Sequence, residues 1–302
     1  VGAISVGLAG RQICEFEQLK ACGVVAVSDD GNPVMDDRLM QDALMTAGHH
    51  NLLVISHCED LNLAAGGVMN AGAIAREMKL AGISNASESV MVERDIALSK
   101  LTGAPVHIAH VSTAESVRAL KEAKSRGLRV TAETAPHYFM LSDEAVRQYG
   151  THAKMNPPLR SAQDRDAVRR GLADGTIDVI ATDHAPHSSR EKAGEFNQPA
   201  NGIIGLETAV SLGLKLVQEG VISLTELILK MSANPARILG LDYGLRPGRD
   251  ADITIIDPDV NYVVDVNKFQ SLSRNCPFDG WPLKGRPVLT IVDGRIVFEE
   301  EI

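Results

Sequence analysis

The stretch VIATDHAPHS, from Val179 to Ser188, joins an apolar run directly to a group of chemically reactive side chains. Asp183, His184 and His187 follow the apolar residues at once. In parallel α/β folds, functional groups collect where the strands end, at the carboxyl edge of the sheet. The stretch therefore predicts a parallel α/β fold with a functional site at that edge.

Similar apolar runs recur upstream and alternate with amphipathic segments. They are GVVAVSDDG (23–31), NLLVISHCED (51–60), APVHIAHVST (104–113) and LRVTAETAPH (128–137). Between them lie segments such as STAESVRALKEAKSRG, where Ser112 or Thr113 is a candidate N-cap and Gly127 a candidate stop. This alternation predicts parallel βαβ units. Strands that are apolar almost throughout favour a sheet covered on both faces.

The pattern changes near residue 240. GLRPGRDADITIIDPD and PVLTIVDGRIVFEEEI alternate apolar and polar residues and contain Gly and Asp turns. The segment IVDGRIVF predicts a β-hairpin that turns at Asp293 and Gly294. We therefore predict an α/β domain over residues 1–239 and a small all-β portion over residues 240–302.

Composition and charge exclude several classes of function. The 302 residues carry a formal net charge of -9 and no Lys/Arg cluster, which argues against a nucleic-acid or anionic-membrane partner. No stretch approaches the about 20 apolar residues that span a bilayer, and the first residues lack a signal-peptide pattern. The four cysteines form no CxxC pair. They predict reduced thiols in a cytoplasmic protein.

Four of the apolar runs are each followed by a side chain that can bind a metal. These side chains are Asp29 or Asp30, His57, His110 and Asp183. Each has a structural explanation when taken alone: DDG is a common turn, an aspartate caps helices, and a histidine satisfies local hydrogen bonds. Four of them at one edge of a sheet favour a metal site. Imidazole and carboxylate together suit zinc or a similar divalent ion.

At these residues the sequence resembles class I dihydroorotase, of the amidohydrolase superfamily. The resemblance covers essentially the whole chain and rests on VSDDGNPVMD (27–36), SHCED (56–60), HIAHVST (107–113), ETAPHY (133–138), KMNPPLR (154–160), DVIATDHAPH (178–187) and NGIIGLETA (201–209). It implies a (β/α)8 barrel of the TIM type with a small β-sandwich. It also implies reversible cyclisation of N-carbamoyl-L-aspartate to L-dihydroorotate, a step of pyrimidine biosynthesis.

The resemblance also implies a metal site and its chemistry. Two metal ions, usually zinc, are bridged by water or hydroxide, which acts as the nucleophile. Asp30 corresponds to the carboxylate that bridges both ions, and His57 and His110 correspond to ligands of the second ion. Asp183 corresponds to a ligand of the first ion and to the residue that carries the proton.

The same resemblance implies how the substrate is held. Asn156 corresponds to a hydrogen-bond partner of the substrate ring, and His187 to a partner of its carboxylate. Backbone groups near Ala200 and Gly202 are implied to contact the substrate. The loop from Ser188 to Ala200 is implied to lie over the site.

The chain departs from the family pattern at one motif. Within these 302 residues there is no His-x-His, which in the family lies on the first barrel strand and is followed by a substrate-binding Arg. We expect the chain to begin near the third barrel strand and the barrel to be incomplete at its N-terminal end. We therefore expect a fragment of an active enzyme that is inactive alone; a front supplied by a second chain is the alternative.

Two other functions remain open at this point. Hydantoinase, dihydropyrimidinase and allantoinase bridge their metals with a carboxylated lysine, whereas this chain has Asp29 and Asp30 at the corresponding strand. A non-catalytic subunit that scaffolds aspartate carbamoyltransferase is the second alternative, and the retained ligands argue against it. For an active enzyme we expect a small-molecule substrate, a homo-oligomer, and association with aspartate carbamoyltransferase as a further candidate partner.

Overall fold

The computed structural model describes residues 1–300 and contains two main sheets. The strands are β1 (Ala26–Val27), β2 (Leu53–Ser56), β3 (Met69–Asn70), β4 (Gly82–Ile83), β5 (Val106–Ile108), β6 (Val130–Thr134), β7 (Val179–Ile180), β8 (Ile253–Val263), β9 (Pro282–Val292) and β10 (Arg295–Glu299). The α-helices are α1 (Phe16–Ala21), α2 (Asp37–His49), α3 (Leu61–Ala64), α4 (Ala73–Met78), α5 (Ala86–Thr102), α6 (Ala114–Ser125), α7 (Pro136–Met140), α8 (Ala145–Tyr149), α9 (Ala162–Ala173), α10 (Ala209–Gln218), α11 (Leu224–Ile228) and α12 (Asn234–Ile238).

The larger sheet is parallel throughout. Its strand order is β1-β2-β5-β6-β7, and each neighbouring pair runs in the same direction. Gly2 forms a parallel bridge with Val27 and so extends the sheet beyond β1. Each of the five predicted apolar runs contains one of these strands, which confirms the predicted parallel α/β architecture.

Local capping explains where several helices begin. The Thr113 side chain accepts a hydrogen bond from the Ser116 amide at 3.2 Å, and α6 starts directly after it. Asp36 caps α2 in the same way, through the Leu39 amide at 2.8 Å. These caps satisfy amides that have no partner inside the first turn of a helix. Within residues 1–300, none of the helices has the length and apolarity that crossing a bilayer requires.

The second sheet is antiparallel and has the order β10-β9-β8. Asp293 and Gly294 both have positive φ, 52° and 72°, as a two-residue type I′ turn requires. The predicted hairpin is therefore confirmed. The sheet packs on α10, where Tyr262 Oη lies 2.7 Å from Ser211 Oγ. The proposed boundary between residues 239 and 240 stays a prediction, and residues 301–302 lie outside the described residues.

A pair of short strands was not predicted from the sequence. β3 and β4 form a separate parallel pair between β2 and α5, with Met69 opposite Gly82 and Asn70 opposite Ile83. Strands of two residues are too short to produce a period of alternating apolar residues. Their pairing depends on contacts that only the folded chain supplies.

A buried polar network fixes the chain just after β5. The Glu88 carboxylate accepts hydrogen bonds from the amides of Ser112 and Thr113, at 3.1 and 3.0 Å, and from both of their hydroxyl groups. Arg160 lies beside it, with Nη2 at 3.9 Å from Glu88 Oε2, and donates through Nη1 to the Ile83 carbonyl at 2.9 Å. The network therefore holds the backbone two residues beyond His110.

We predict that Glu88→Gln lowers the free energy of unfolding by about 1–3 kcal/mol, because buried donors lose their acceptor. Urea unfolding measures the change. Glu122→Gln is the matched control, since Glu122 is 70% exposed and its change stays within about 0.5 kcal/mol. Equal stability of the two variants would show that the Glu88 network contributes no more than a surface pair.

Candidate metal centre

Three ligand-type side chains converge at the carboxyl edge of the parallel sheet. Asp30, His57 and His110 each offer one ligand atom, and these atoms all lie within 4.8 Å of one another. His57 Nδ1 lies 2.8 Å from His110 Nε2, and Asp30 Oδ1 lies 3.4 and 3.2 Å from these two nitrogens. The residues follow β1, β2 and β5, three adjacent strands. The sheet therefore brings together three of the four residues predicted as metal ligands.

The far nitrogen of His57 is also held in place. His57 Nε2 lies 3.3 Å from Glu59 Oε2, and the same oxygen accepts a hydrogen bond from Asn156 Nδ2 at 2.9 Å. A metal-binding histidine is usually oriented in this way, by a carboxylate at its second nitrogen. The two ring nitrogens of His57 are thus arranged as in a histidine ligand, with Nδ1 facing the cluster and Nε2 facing a carboxylate.

Electrostatics in the cluster favour a cation. Hydrogen bonds from His110 and then His57 hold the pKa of Asp30 well below its usual range. Burial opposes protonation of His110, but its hydrogen bond to Asp30 and the charges of Asp183, Asp30 and Glu133 outweigh burial and raise its pKa to about 9. Two buried imidazole nitrogens that face each other beside the Asp30 carboxylate form a donor set that a divalent metal ion fits.

Asp183 lies beside this cluster but is not one of the three converging ligands. Its Oδ2 is buried without a hydrogen-bond partner in residues 1–300, and it lies 3.9 Å from His137 Nε2, which is also unpartnered there. Burial raises the pKa of Asp183, and the charges of Asp30 and Glu133 add to this although His110 opposes it. Burial, and then the charge of His110, lower the pKa of His137 to about 3. Unpartnered buried polar atoms next to a charged cluster indicate a place for a ligand.

The backbone at the site is strained at two positions. His110 has φ 35° and Asp183 has φ 47°, both in the left-handed region that residues with a side chain rarely adopt. Such conformations persist where the surrounding structure enforces them, and they are concentrated at functional sites. The two residues with a strained backbone are therefore also two of the residues predicted to bind metal.

The residues predicted to hold the substrate fall into two places. Asn156 joins the metal cluster through Glu59. His187, Ala200 and Gly202 lie together in a neighbouring loop region, where His187 Nε2 is 2.8 Å from the Asn201 carbonyl. The Gly202 amide donates to the carbonyl of Lys154 at 2.9 Å, two residues before Asn156, and this contact connects the two places.

Two polar residues next to the site have structural roles. His184 Nδ1 accepts hydrogen bonds from the amides of Gly205 and Leu206, at 3.1 and 3.3 Å. The Asp29 carboxylate accepts from the amides of Ile4 and Ser5, at 2.8 and 3.0 Å. Of the two adjacent acids in the motif SDDG, only Asp30 belongs to the metal cluster.

Glu59 and His137 belong to the site region although neither was predicted to. Each is close in sequence to a residue that ends a strand: Glu59 lies two positions after His57, and His137 follows β6. His137 follows an apolar run, as the predicted ligands do. The same sequence pattern could therefore have identified it.

Comparisons with a family profile and with curated proteins agree on one family for this chain. The profile of the amidohydrolase family matches residues 9–297. A dihydroorotase of Desulforapulum autotrophicum is 57% identical over 302 residues, which is 100% of this chain and 71% of that protein. A dihydroorotase of Pelotomaculum thermopropionicum is 56% identical over 304 residues, with the same coverage. These relatives are longer than the present chain.

Solved structures show the same fold. An L-hydantoinase (dihydropyrimidinase) from Arthrobacter aurescens superimposes with a TM-score of 0.87 at 27% identity, covering 100% of this chain and 69% of that one. A D-hydantoinase superimposes with a TM-score of 0.81 at 26% identity, covering 95% of this chain and 66% of that one. The predicted TIM-type barrel architecture agrees with these structures.

Proposed function

This chain belongs to the amidohydrolase family, and on that premise we propose that it acts as a dihydroorotase through the site at Asp30, His57 and His110. The reaction is the reversible cyclisation of N-carbamoyl-L-aspartate to L-dihydroorotate. One observation carries the proposal: two buried imidazoles and a carboxylate converge at the edge where this fold does its chemistry. The likeness to proteins named dihydroorotase over the whole chain selects the reaction within the family.

We propose zinc as the metal, with two ions in a complete site. Asp30, His57 and His110 would hold one ion, and Asp30 and Asp183 would contribute to the other. A bound zinc ion supplies Lewis acidity, which activates water and polarises the amide carbonyl of the ring. Glu59 would fix the orientation of the His57 ring, because it lies at the nitrogen that does not face the cluster.

Asp183 is the proposed proton carrier. When the ring opens, a proton leaves the attacking water and the amide nitrogen must gain one; ring closure reverses both transfers. One buried carboxylate oxygen of Asp183 has no hydrogen-bond partner in residues 1–300 and lies beside the cluster. It can therefore accept the first proton and deliver it to the nitrogen. Its raised pKa brings the carboxyl group closer to the range in which it can both accept and release a proton.

Recognition of the substrate requires specific donors. Both substrate and product are anions, and a chain with a net charge of -9 does not attract them through its overall field. We propose that Asn156 binds the ring, His187 binds the carboxylate, and backbone groups near Ala200 and Gly202 complete the site. The carboxylate is then the feature that distinguishes this substrate from the neutral rings of related reactions.

A comparison of substrates tests the function. The holoenzyme is the complete zinc-loaded protein, with any segment that precedes residue 1, because this chain alone is expected to be inactive. It is expected to hydrolyse L-dihydroorotate with a kcat/KM at least about 100-fold higher than that for dihydrouracil, which lacks the carboxylate. Absorbance at the amide band follows both reactions. A preference for dihydrouracil would favour the hydantoinase alternative. A folded holoenzyme that binds metal but acts on neither would favour another cyclic-amide hydrolase, and a folded protein that binds no metal and acts on neither would favour the scaffold alternative.

Other features of the whole protein are also proposals. We expect a homo-oligomer in the cytoplasm, with aspartate carbamoyltransferase as a candidate partner.

A further inference from the structure

Two buried lysines lie beneath the segment Pro199–Gly202. The side chain of Lys192 is 4% exposed, and its ammonium donates to the carbonyls of Ala200 and Gly202 at 2.9 and 3.1 Å and to that of Lys154 at 3.3 Å. Lys154 is 5% exposed and donates to the carbonyl of Pro199 at 2.7 Å. Every acceptor in these hydrogen bonds is a main-chain carbonyl, so no carboxylate neutralises either charge through them.

The contacts define the orientation of the whole segment. Its four successive carbonyls all accept from side-chain donors: Pro199 from Lys154, Ala200 from Lys192, Asn201 from His187, and Gly202 from Lys192 and Asn275. In a trans peptide the carbonyl and the following amide point in opposite directions. Because Lys192 draws the Ala200 carbonyl inward, the next amide, that of Asn201, points the other way. The amides of Ala200 and Gly202 donate to the carbonyls of Glu191 and Lys154, at 3.0 and 2.9 Å.

The segment has little freedom to settle differently. A Cβ atom on Gly202 would lie 2.6 Å from the Ala185 carbonyl oxygen and 2.6 Å from the His187 ring. The Thr151 hydroxyl also donates to the Lys192 carbonyl at 2.7 Å, which ties the lysine's own backbone to the same wall. Hydrogen bonds thus hold both the main-chain carbonyl and the side-chain ammonium of Lys192 in place.

Burying an ammonium without a counter-ion is costly. Burial, and then the neighbouring charge of Lys154, lower the pKa of Lys192 to about 8. An anion that binds close to the segment would be attracted by both ammonium groups in a region of reduced dielectric constant. The position of the two ammonium groups therefore suits a carboxylate ligand. Binding of that ligand would offset the cost of burying their charge.

We propose that Lys192 is a positioning residue for substrate binding, which orients the Pro199–Gly202 segment and, with Lys154, sets positive charge behind it. This inference rests on the proposed function, which assigns substrate contacts to backbone groups near Ala200 and Gly202, and the Asn201 amide lies between them. Its effect belongs to binding, because Lys192 contacts the segment and none of the metal-cluster residues.

The test compares Lys192→Met, which keeps the length of the side chain without its donors, with Lys192→Gln, which keeps a donor without the charge. In the zinc-loaded holoenzyme, Lys192→Met is expected to raise KM for dihydroorotate about tenfold or more, while kcat changes less than about threefold. Zinc content is expected to stay at the wild-type level. Lys192→Gln is expected to give a smaller rise in KM, and it replaces Lys192→Met if that variant does not fold.

Trypsin cleavage after the exposed Arg190 gives a readout that needs no activity. Lys192→Met is expected to be cut faster than wild type, because the segment loses its anchor. Lys121→Met is the matched control, since Lys121 is 65% exposed and pairs with Asp174 at the surface. It is expected to match wild type in KM and in cleavage rate.

The outcomes separate this inference from the function itself. Unchanged KM and unchanged cleavage in Lys192→Met overturn the positioning role, and so does an equal loss of kcat and zinc, which would indicate general damage. A complete wild-type holoenzyme that does not act on dihydroorotate overturns the proposed function. In that case the rates of trypsin cleavage alone decide whether Lys192 holds the Pro199–Gly202 segment in place.

Discussion

Replacing Asp183 by asparagine in the holoenzyme is expected to lower kcat for dihydroorotate about 10³-fold, the loss typical of a removed acid–base group. The substitution keeps the shape of the side chain but removes its capacity to carry a proton. Asparagine also tolerates the left-handed backbone found at this position better than most residues. Thermal unfolding and circular dichroism are expected to match the wild type, because the buried oxygen of Asp183 holds no hydrogen bond that the fold depends on.

Asp174→Asn is the control for this variant, since Asp174 precedes β7, whereas Asp183 follows it at the end that carries the metal cluster. The Asp174 carboxylate accepts only from Lys121 and from the amide and hydroxyl of Thr176. It is expected to retain wild-type kcat. An Asp183→Asn protein that turns over at the wild-type rate would remove this carboxylate from the mechanism. A variant that unfolds would instead be replaced by Asp183→Ala, with zinc content as the check on the site.

Replacing His110 by alanine is expected to remove metal and activity together. His110 Nε2 contacts both other members of the cluster, so its loss takes away the central ligand atom. We expect metal affinity to fall by more than the about 10–100-fold cost of losing a supporting residue. Zinc retained after dialysis against a weak chelator measures this, and activity is measured on the same samples.

His152→Ala is the matched control, because His152 is exposed and lies outside the cluster. It is expected to keep both zinc and turnover. Treatment of the wild-type protein with a strong chelator is expected to abolish turnover, and added zinc to restore it. Full activity in His110→Ala, or after chelation, would contradict a metal-dependent reaction at this cluster.

The parallel sheet was predictable because its strands are apolar almost throughout and end in polar groups. Each such run contains a strand, and Thr113 and Asp293–Gly294 act locally as a cap and a turn. β3 and β4 were not predictable, because two-residue strands carry no periodic pattern. Their formation depends on contacts between parts of the chain that are distant in sequence.

The site was predictable in part for the same physical reason. Strand ends bring Asp30, His57 and His110 to one edge, so their convergence follows from the fold. The difference between Asp29 and Asp30 came from the family resemblance, since both follow the same strand. Lys192 could not have been predicted: it lies in a polar loop where a lysine is normally solvated, and only the folded chain shows it to be buried.

The left-handed backbone at His110 and Asp183 has a consequence for protein engineering. A residue with a Cβ atom in that conformation costs on the order of 1 kcal/mol, and glycine relieves it. Directed evolution for heat resistance alone would therefore favour glycine at Asp183, whose buried oxygen has no hydrogen-bond partner in residues 1–300. At His110, which is 5% exposed, the packing lost with the ring would outweigh the relief. A thermostabilised variant with glycine at position 183 would lose its proton carrier, so a thermostabilisation campaign on this fold must keep Asp183 unchanged.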